Sequence, residues 1–138
     1  MTERTLVLIK PDAMAKNVVG EIIKIYEANN LAVKAIKMLQ MTDKIAALHY
    51  EEHIGRSYYE DLRSFMTSAP IIAMVLQGED AIAKVRKING KTNPAEADEG
   101  TIRKLYAENG SRNAVHASDG KASAAREIAI FFAATEIF

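Results

Sequence analysis

The sequence predicts an α/β sandwich, a small sheet covered by helices. Three observations carry that prediction. Two short, continuous apolar runs are bounded by turn residues and read as strands buried on both faces. Apolar residues recur elsewhere at helical spacing. Strand-like and helix-like segments alternate along the chain, which is the pattern of layered α/β domains.

The first strand is "TLVLI" (Thr5–Ile9), closed by Pro11. Val19, Ile22, Ile23 and Tyr26 then mark a helix that the Asn29–Asn30 pair ends. "LAVKAIKMLQ" is strand-like but alternates imperfectly. Thr42 is placed to cap a helix carrying Ile45, Leu48 and His49. Tyr58, Leu62, Phe65 and Met66 form the next helical stripe. Pro70 introduces "IIAMVLQ", a second buried strand expected to end at Gly78. Ala81, Ile82, Val85 and Ile88 mark another helix. "NGKTNPAEADEG" (Asn89–Gly100) is an irregular loop, and loops of that length in a compact domain are often functional. Thr101 caps the short helix "TIRKLYA". A short strand follows around Ala114–Ala117, then a last helix over roughly Ser123–Phe132. The order predicts a four-stranded antiparallel sheet with a ferredoxin-like, split β-α-β core. No repeat, low-complexity tract or linker interrupts residues 1–138, which read as one domain.

Bulk properties narrow the function. A chain of 138 residues can bury one good core. Lys plus Arg number 18 and Asp plus Glu number 18, so the net charge is zero. That balance argues against broad electrostatic binding to nucleic acid or acidic membranes and leaves room for a local anion pocket. The sequence has no cysteine, so disulfides, thiolate zinc sites and cysteine catalysis are excluded. The start, "MTERTLVLIKPDA", is charged at once and reads as neither signal peptide nor anchor. No stretch is long enough to span a bilayer, and a cytoplasmic protein is expected.

His116 is the residue on which function turns. It stands in "SRNAVHASDG" among small and polar neighbours. Three readings are open: a packed histidine, a metal ligand and a nucleophile. His49, His53 and His116 are the only histidines, and no pair has a recognised ligand spacing with carboxylates nearby. A nucleophilic imidazole needs a free ring nitrogen and a partner for the other nitrogen's proton. Glu127 is a candidate partner. It lies on the apolar stripe of the last helix, with Ala124, Ile128 and Phe131, where an unpaired carboxylate is costly. The alternative is an edge glutamate that reaches water.

Lys10 sits where the first strand ends, a common edge of ligand crevices in α/β sheets. Arg86 and Arg103 are each an ordinary surface charge if taken alone. Converging with Lys10, they would bind a polyphosphate, because Arg forks match phosphate oxygens. "NGKTN" fails as a P-loop: the required first Gly position is Val85, and the segment follows a helix instead of a strand. Thr92 can still offer a hydroxyl to a phosphate. Tyr58 reads either as a core tyrosine or as a platform on which a nucleobase stacks.

Five segments occur in one order: "TLVLIKPDA", "LRSFMTSAPI", "TNPAEADEGTIR", "NAVHASD" and "ASAAREIAIFF". Together they resemble the nucleoside diphosphate kinase family from Thr5 to about Phe132. The resemblance implies transfer of the terminal phosphoryl group of a nucleoside triphosphate, mainly ATP, to a nucleoside diphosphate. It implies a ping-pong route through a phosphohistidine at His116. Glu127 matches the carboxylate that orients the ring, and Ser118 the hydroxyl supporting that carboxylate. Lys10, Arg86, Thr92 and Arg103 match the phosphate-binding set, and Lys10 and Asn113 match contacts to the ribose 3′-hydroxyl. Tyr50 and His53 match residues close to the transferred phosphate. Tyr58 falls at the base platform, usually phenylalanine, with Leu62 beside it. Mg²⁺ would be held mainly by nucleotide phosphates and water. The resemblance also implies a homo-oligomer, a tetramer or hexamer built from dimers, and the apolar end of "AATEIF" fits packing against a neighbour.

The chain departs from the family pattern at several positions. Ala117 and Gly120 stand for the usual Gly and Ser around the histidine. "RSYY" (Arg56–Tyr59) lacks a proline, Lys91 replaces a small residue, and Gly110 replaces an apolar one expected to cover the base's other face. "RKLYA" replaces the usual run after Ile102. Ala117 would crowd His116 if its backbone needed a positive φ. Two rivals are weighed. A nucleotide- or RNA-binding module would need exposed aromatics on its strands, which are almost lacking. A histidine phosphocarrier would differ in passing its group to a protein.

Overall fold

Thr2–Ile9 forms β1, and Pro11–Ala15 and Val19–Ala28 form α1 and α2 in the computed structural model, which describes residues 1–138. Then come β2 (Ala32–Leu39), α3 (Asp43–His49), α4 (Tyr59–Met66), β3 (Ile71–Glu79), α5 (Ala81–Asn89), α6 (Ile102–Tyr106), β4 (Val115–Ala117) and α7 (Lys121–Phe131). Short 3₁₀ turns cover Glu51–His53 and Ala134–Glu136. The four strands lie in the order β2-β3-β1-β4, with every neighbouring pair antiparallel. No helix is long and apolar enough to cross a membrane.

The two apolar runs are the two central strands, and their alternation explains why they lack polar gaps. Leu6 and Leu8 of β1, with Ala73 and Val75 of β3, face α3, α4 and α7. Val7 and Ile9, with Ile72, Met74 and Leu76, face α2, α5 and α6. Both faces are therefore core, and each large side chain buried there stabilises by about 1.5–3 kcal/mol. In β4 the same alternation sends Val115 to the α2–α5 side. His116 pairs with Leu8 and so shares the opposite face, toward α3 and α7.

Local details refine the sequence reading. Thr42 and Thr101 cap α3 and α6, their hydroxyls accepting from the N–H of Ile45 (3.2 Å) and Lys104 (3.3 Å). Pro11 closes β1 and at once opens α1, since its missing N–H costs nothing at a helix start. The imperfect alternation of β2 is a pairing irregularity between Val33 and Ala35. β3 does not stop at Gly78. A Cβ there would meet the Asn30 carbonyl oxygen at 2.9 Å, so glycine marks a close approach instead of a strand end. The last helix begins at Lys121, two residues earlier than expected.

Gly90 ends α5 at φ +86°, and a Cβ on it would stand 2.7 Å from Thr101 Oγ1. Its carbonyl accepts from Arg103 Nη1 at 2.9 Å. Gly90→Ala combines an unfavourable φ with overpacking, and is expected to destabilise the protein by about 2–4 kcal/mol in urea unfolding.

Candidate active site

His116 side-chain chemistry is set by what α7 presents to β4. Nε2 of His116 lies 2.9 Å from Glu127 Oε1, and Ser118 Oγ donates to that same oxygen at 2.8 Å. Glu127 and Ser118 are buried, at 5% and 0% exposure. Burial pushes the Glu127 carboxyl up, but hydrogen bonds from His116 and Ser118 and the nearby imidazoles hold it below the usual carboxylate range. An ionised carboxylate only accepts hydrogen bonds. Nε2 therefore carries the proton, and the lone pair is on Nδ1.

A left-handed residue precedes the strand. Ala114 has φ 72°, with its N–H donating to Asp12 Oδ2 (2.9 Å) and its carbonyl accepting from the Lys10 N–H (2.9 Å). An alanine held there costs about 1–2 kcal/mol, and the two hydrogen bonds impose it. Ala117 itself lies in β4 opposite Val7, so its methyl meets no positive-φ strain. The positive φ that would have made Ala117 crowd His116 falls instead at Ala114.

Lys10 follows β1 directly and is 8% exposed. Its ammonium donates to Asn113 Oδ1 at 2.8 Å, and Asn113 Nδ2 in turn donates to the Gly110 carbonyl at 3.0 Å. Burial, then the Arg103 charge, lower Lys10 to about 8, with Asp12 opposing. Arg103 spends three N–H groups on backbone: Nε to the Asn113 carbonyl, Nη1 to that of Gly90 and Nη2 to that of Val115. Of the five donors of a guanidinium, two remain free. The head is thus fixed before any ligand arrives.

These groups share one cleft of about 950 Å³. Lys10, Tyr50, His53, Tyr58, Leu62, Arg86, Thr92, Arg103, Asn113, His116 and Glu127 all line it. Ser118 lies behind Glu127, away from the cleft. Tyr58 is no core tyrosine. The helix α4 starts one residue later and buries Tyr59, leaving Tyr58 48% exposed beside the cleft. Tyr58 Oη lies 2.6 Å from His53 Nδ1, which ties His53 to the aromatic end of the cleft. Gly110 lines the cleft without covering it, and nearby Arg112 stacks on Phe65 at 4.5 Å.

Sequence reasoning missed His49. It belongs to the apolar stripe of α3, and nothing in its spacing sets it apart. Its ring stands edge-to-face against His116, with centroids 4.8 Å apart, and against Tyr50 and Phe131. Burial, then the neighbouring His116, pushes it down to about 3, so it is neutral. The Tyr50 hydroxyl is also buried without a partner. Arg126, too, escaped notice: it reaches back to the carbonyls of Leu48 and His49, fastening α7 to α3.

A histidine held by a buried carboxylate, in a cleft shared with Lys10, Arg86 and Arg103 on a split β-α-β sheet, is the build of a phosphotransferase. A family model described as nucleoside diphosphate kinase matches residues 3–137. A nucleoside diphosphate kinase of Listeria monocytogenes serotype 4b (strain CLIP80459) is 50% identical over 135 residues, covering 98% of this chain and 92% of that relative. One from Clostridium perfringens (strain 13 / Type A) is 46% identical over 130 residues, covering 94% and 91%. Among solved structures, the Aquifex aeolicus nucleoside diphosphate kinase superposes with a TM-score of 0.98 at 40% identity, covering 100% of both chains. That of Halobacterium salinarum in complex with CDP gives 0.97 at 36% identity, covering 100% of this chain and 92% of that one. The chain belongs to the nucleoside diphosphate kinase family. It is a nucleotide-binding kinase that moves a phosphoryl group from a nucleoside triphosphate to a nucleoside diphosphate.

Proposed function

We propose that this transfer runs in two steps through a phosphohistidine at His116, with ATP the main donor. The observation that carries the reading is the Ser118–Glu127–His116 chain of hydrogen bonds, which leaves the Nδ1 lone pair free. In the first step Nδ1 attacks the terminal phosphorus in line. A P–N bond forms, the P–O bond to the β-phosphate breaks, and the nucleoside diphosphate leaves. In the second, a β-phosphate oxygen of the acceptor attacks, the P–N bond breaks, and the ring returns to its starting tautomer. Glu127 keeps the Nε2 proton in place and stabilises charge that develops on the ring.

Phosphoryl transfer needs positioning and charge neutralisation more than acid–base work. Arg86, Thr92 and Arg103 would hold the phosphates, with Lys10 at the transferring group and Lys10 and Asn113 at the 3′-hydroxyl. Tyr50 and His53 lie toward the phosphate in this reading, and Tyr58 with Leu62 receives the base. A single aromatic platform without base-edge hydrogen bonds accepts any nucleobase, which suits an enzyme balancing ribo- and deoxyribonucleotide pools. The chain's carboxylates form no oxygen cage here; the one group of three potential ligands in the cleft has two imidazoles. Mg²⁺ would therefore ride on the nucleotide phosphates and water, neutralising their charge. The proposal includes a cytoplasmic setting and a homo-oligomer, tetramer or hexamer. In support of assembly, the edge strand β2 exposes Ile36 (49%) and Met38 (63%). The chain's own tail also lies along β2, the Phe138 N–H donating to the Lys34 carbonyl at 2.9 Å.

Initial rates measured while donor and acceptor are both varied test the route. A ping-pong enzyme gives parallel double-reciprocal lines. Lines that converge would show both nucleotides bound together and reject the phosphohistidine intermediate.

A further inference from the structure

The mechanism gives His49 no task, yet its placement is costly. It is 4% exposed, and neither ring nitrogen has a hydrogen-bond partner in the protein. Buried polar atoms in that condition lose hydration and gain nothing in return. A phenylalanine would make the same edge-to-face contacts with His116, Tyr50 and Phe131 without that cost. The nitrogens call for a ligand of their own. One ring nitrogen of His49, one of His116 and one carboxylate oxygen of Glu127 lie within 4.8 Å of one another. All three residues border the cleft, and a shift of the His49 ring opens its covered nitrogens to a solute there.

We propose that His49, His116 and Glu127 form a binding site for a divalent transition cation of the zinc class, and that its occupation switches phosphoryl transfer off. Two imidazoles and a carboxylate suit Zn²⁺, whereas Mg²⁺ takes oxygen ligands. Bonds of about 2.0–2.2 Å set tetrahedral ligand atoms roughly 3.3–3.6 Å apart, so the widest gap must close by roughly 1 Å while the 2.9 Å His116–Glu127 pair opens to admit the ion. The fourth position is filled from the cleft, by water or a phosphate oxygen. Ser118 orients Glu127 from behind, as an outer partner orients a metal-bound carboxylate. On binding, the proton leaves Nε2 and Nδ1 takes one up from solvent, so a neutral imidazole holds the metal through Nε2 with no net proton released by the ring. The proton on Nδ1 then occupies the lone pair that would attack phosphorus, so the metal-bound ring is not a nucleophile. Arg126 Nη2 stands 3.8 Å from Glu127 Oε2 and opposes the cation, which keeps binding reversible.

The switch rests on His116 as nucleophile; the site does not. Titrating Zn²⁺ into the purified protein against a chromophoric chelator tests the site. One Zn²⁺ per chain is expected, with affinity at least tenfold weaker in His49→Phe whose circular dichroism is unchanged. Co²⁺ in the wild type should give the strong visible absorption of a four-coordinate ion. No saturable binding by the wild type, or equal affinity in His49→Phe, overturns the site. If His49→Phe does not fold, Glu127→Gln serves in the same titration with the same expected loss. Bound Zn²⁺ that leaves nucleotide exchange unslowed overturns the switch. Exchange retained by His116→Ala would instead reject the phosphohistidine route and leave the metal titration standing.

Discussion

His116→Ala is expected to lower nucleotide exchange by about 10⁴-fold or more, because the covalent route is lost and only binding remains. The fold should survive. His116 sits at the cleft edge of a three-residue strand, and its buried neighbours keep other contacts: Leu8 in the core, His49 against Tyr50 and Phe131, and Glu127 on Ser118. Thermal unfolding of the variant near that of the wild type, together with lost exchange, is the expected pair of results. Glu127→Gln should show a milder loss. The amide can still hold the ring, but it brings no charge to match the cation that forms as the bond to phosphorus is made.

Lys10 carries the second large effect, with stability and activity moving in opposite directions. Its ammonium is buried, which lowers it to about 8 from the 10.5 of a solvated lysine. A folded-state value below the unfolded one means that the fold disfavours the charged form. The cost is fully present below about pH 8 and is relieved as pH rises toward the unfolded value. That depression corresponds to about 3 kcal/mol. Lys10→Met is therefore expected to raise stability at pH 7 by up to about 3 kcal/mol in urea unfolding. The same variant should lose about 10²–10³ in kcat/KM, as when a charge-stabilising donor is removed from a reacting site. In the wild type, nucleotide affinity should fall as pH rises through about 8, where the free ammonium loses its charge. A Lys10→Met variant that keeps its activity would remove Lys10 from the transfer step.

Much of the fold was legible because its signals are local. The uninterrupted "TLVLI" and "IIAMVLQ" announced strands buried on both faces, and β1 and β3 are the two central strands. Thr42 and Thr101 announced the starts of α3 and α6. What stayed hidden depends on tertiary contact. Gly78 looked like a terminator, and only the approach of Asn30 shows why glycine stands inside β3. Tyr58 shared the spacing of a core stripe, yet Tyr59 takes the core and Tyr58 turns outward. The site divides in the same way. Glu127 was legible as a carboxylate out of place on an apolar stripe, and Lys10 as a charge at a strand end. His49 left no such mark, because a histidine on an apolar helix face resembles any packed side chain until His116 is brought 4.8 Å from it.

The most direct test of the central claim is a single-turnover experiment. The protein is mixed with ATP labelled in the terminal phosphate, separated from nucleotide, mapped for its label and then given unlabelled GDP. The account predicts a base-stable, acid-labile label on His116 that passes to GDP within the time of one turnover, one labelled GTP appearing for each phosphohistidine lost. Exchange at full rate with no label on the protein, or label on a residue other than His116 that is passed on at the catalytic rate, would contradict it.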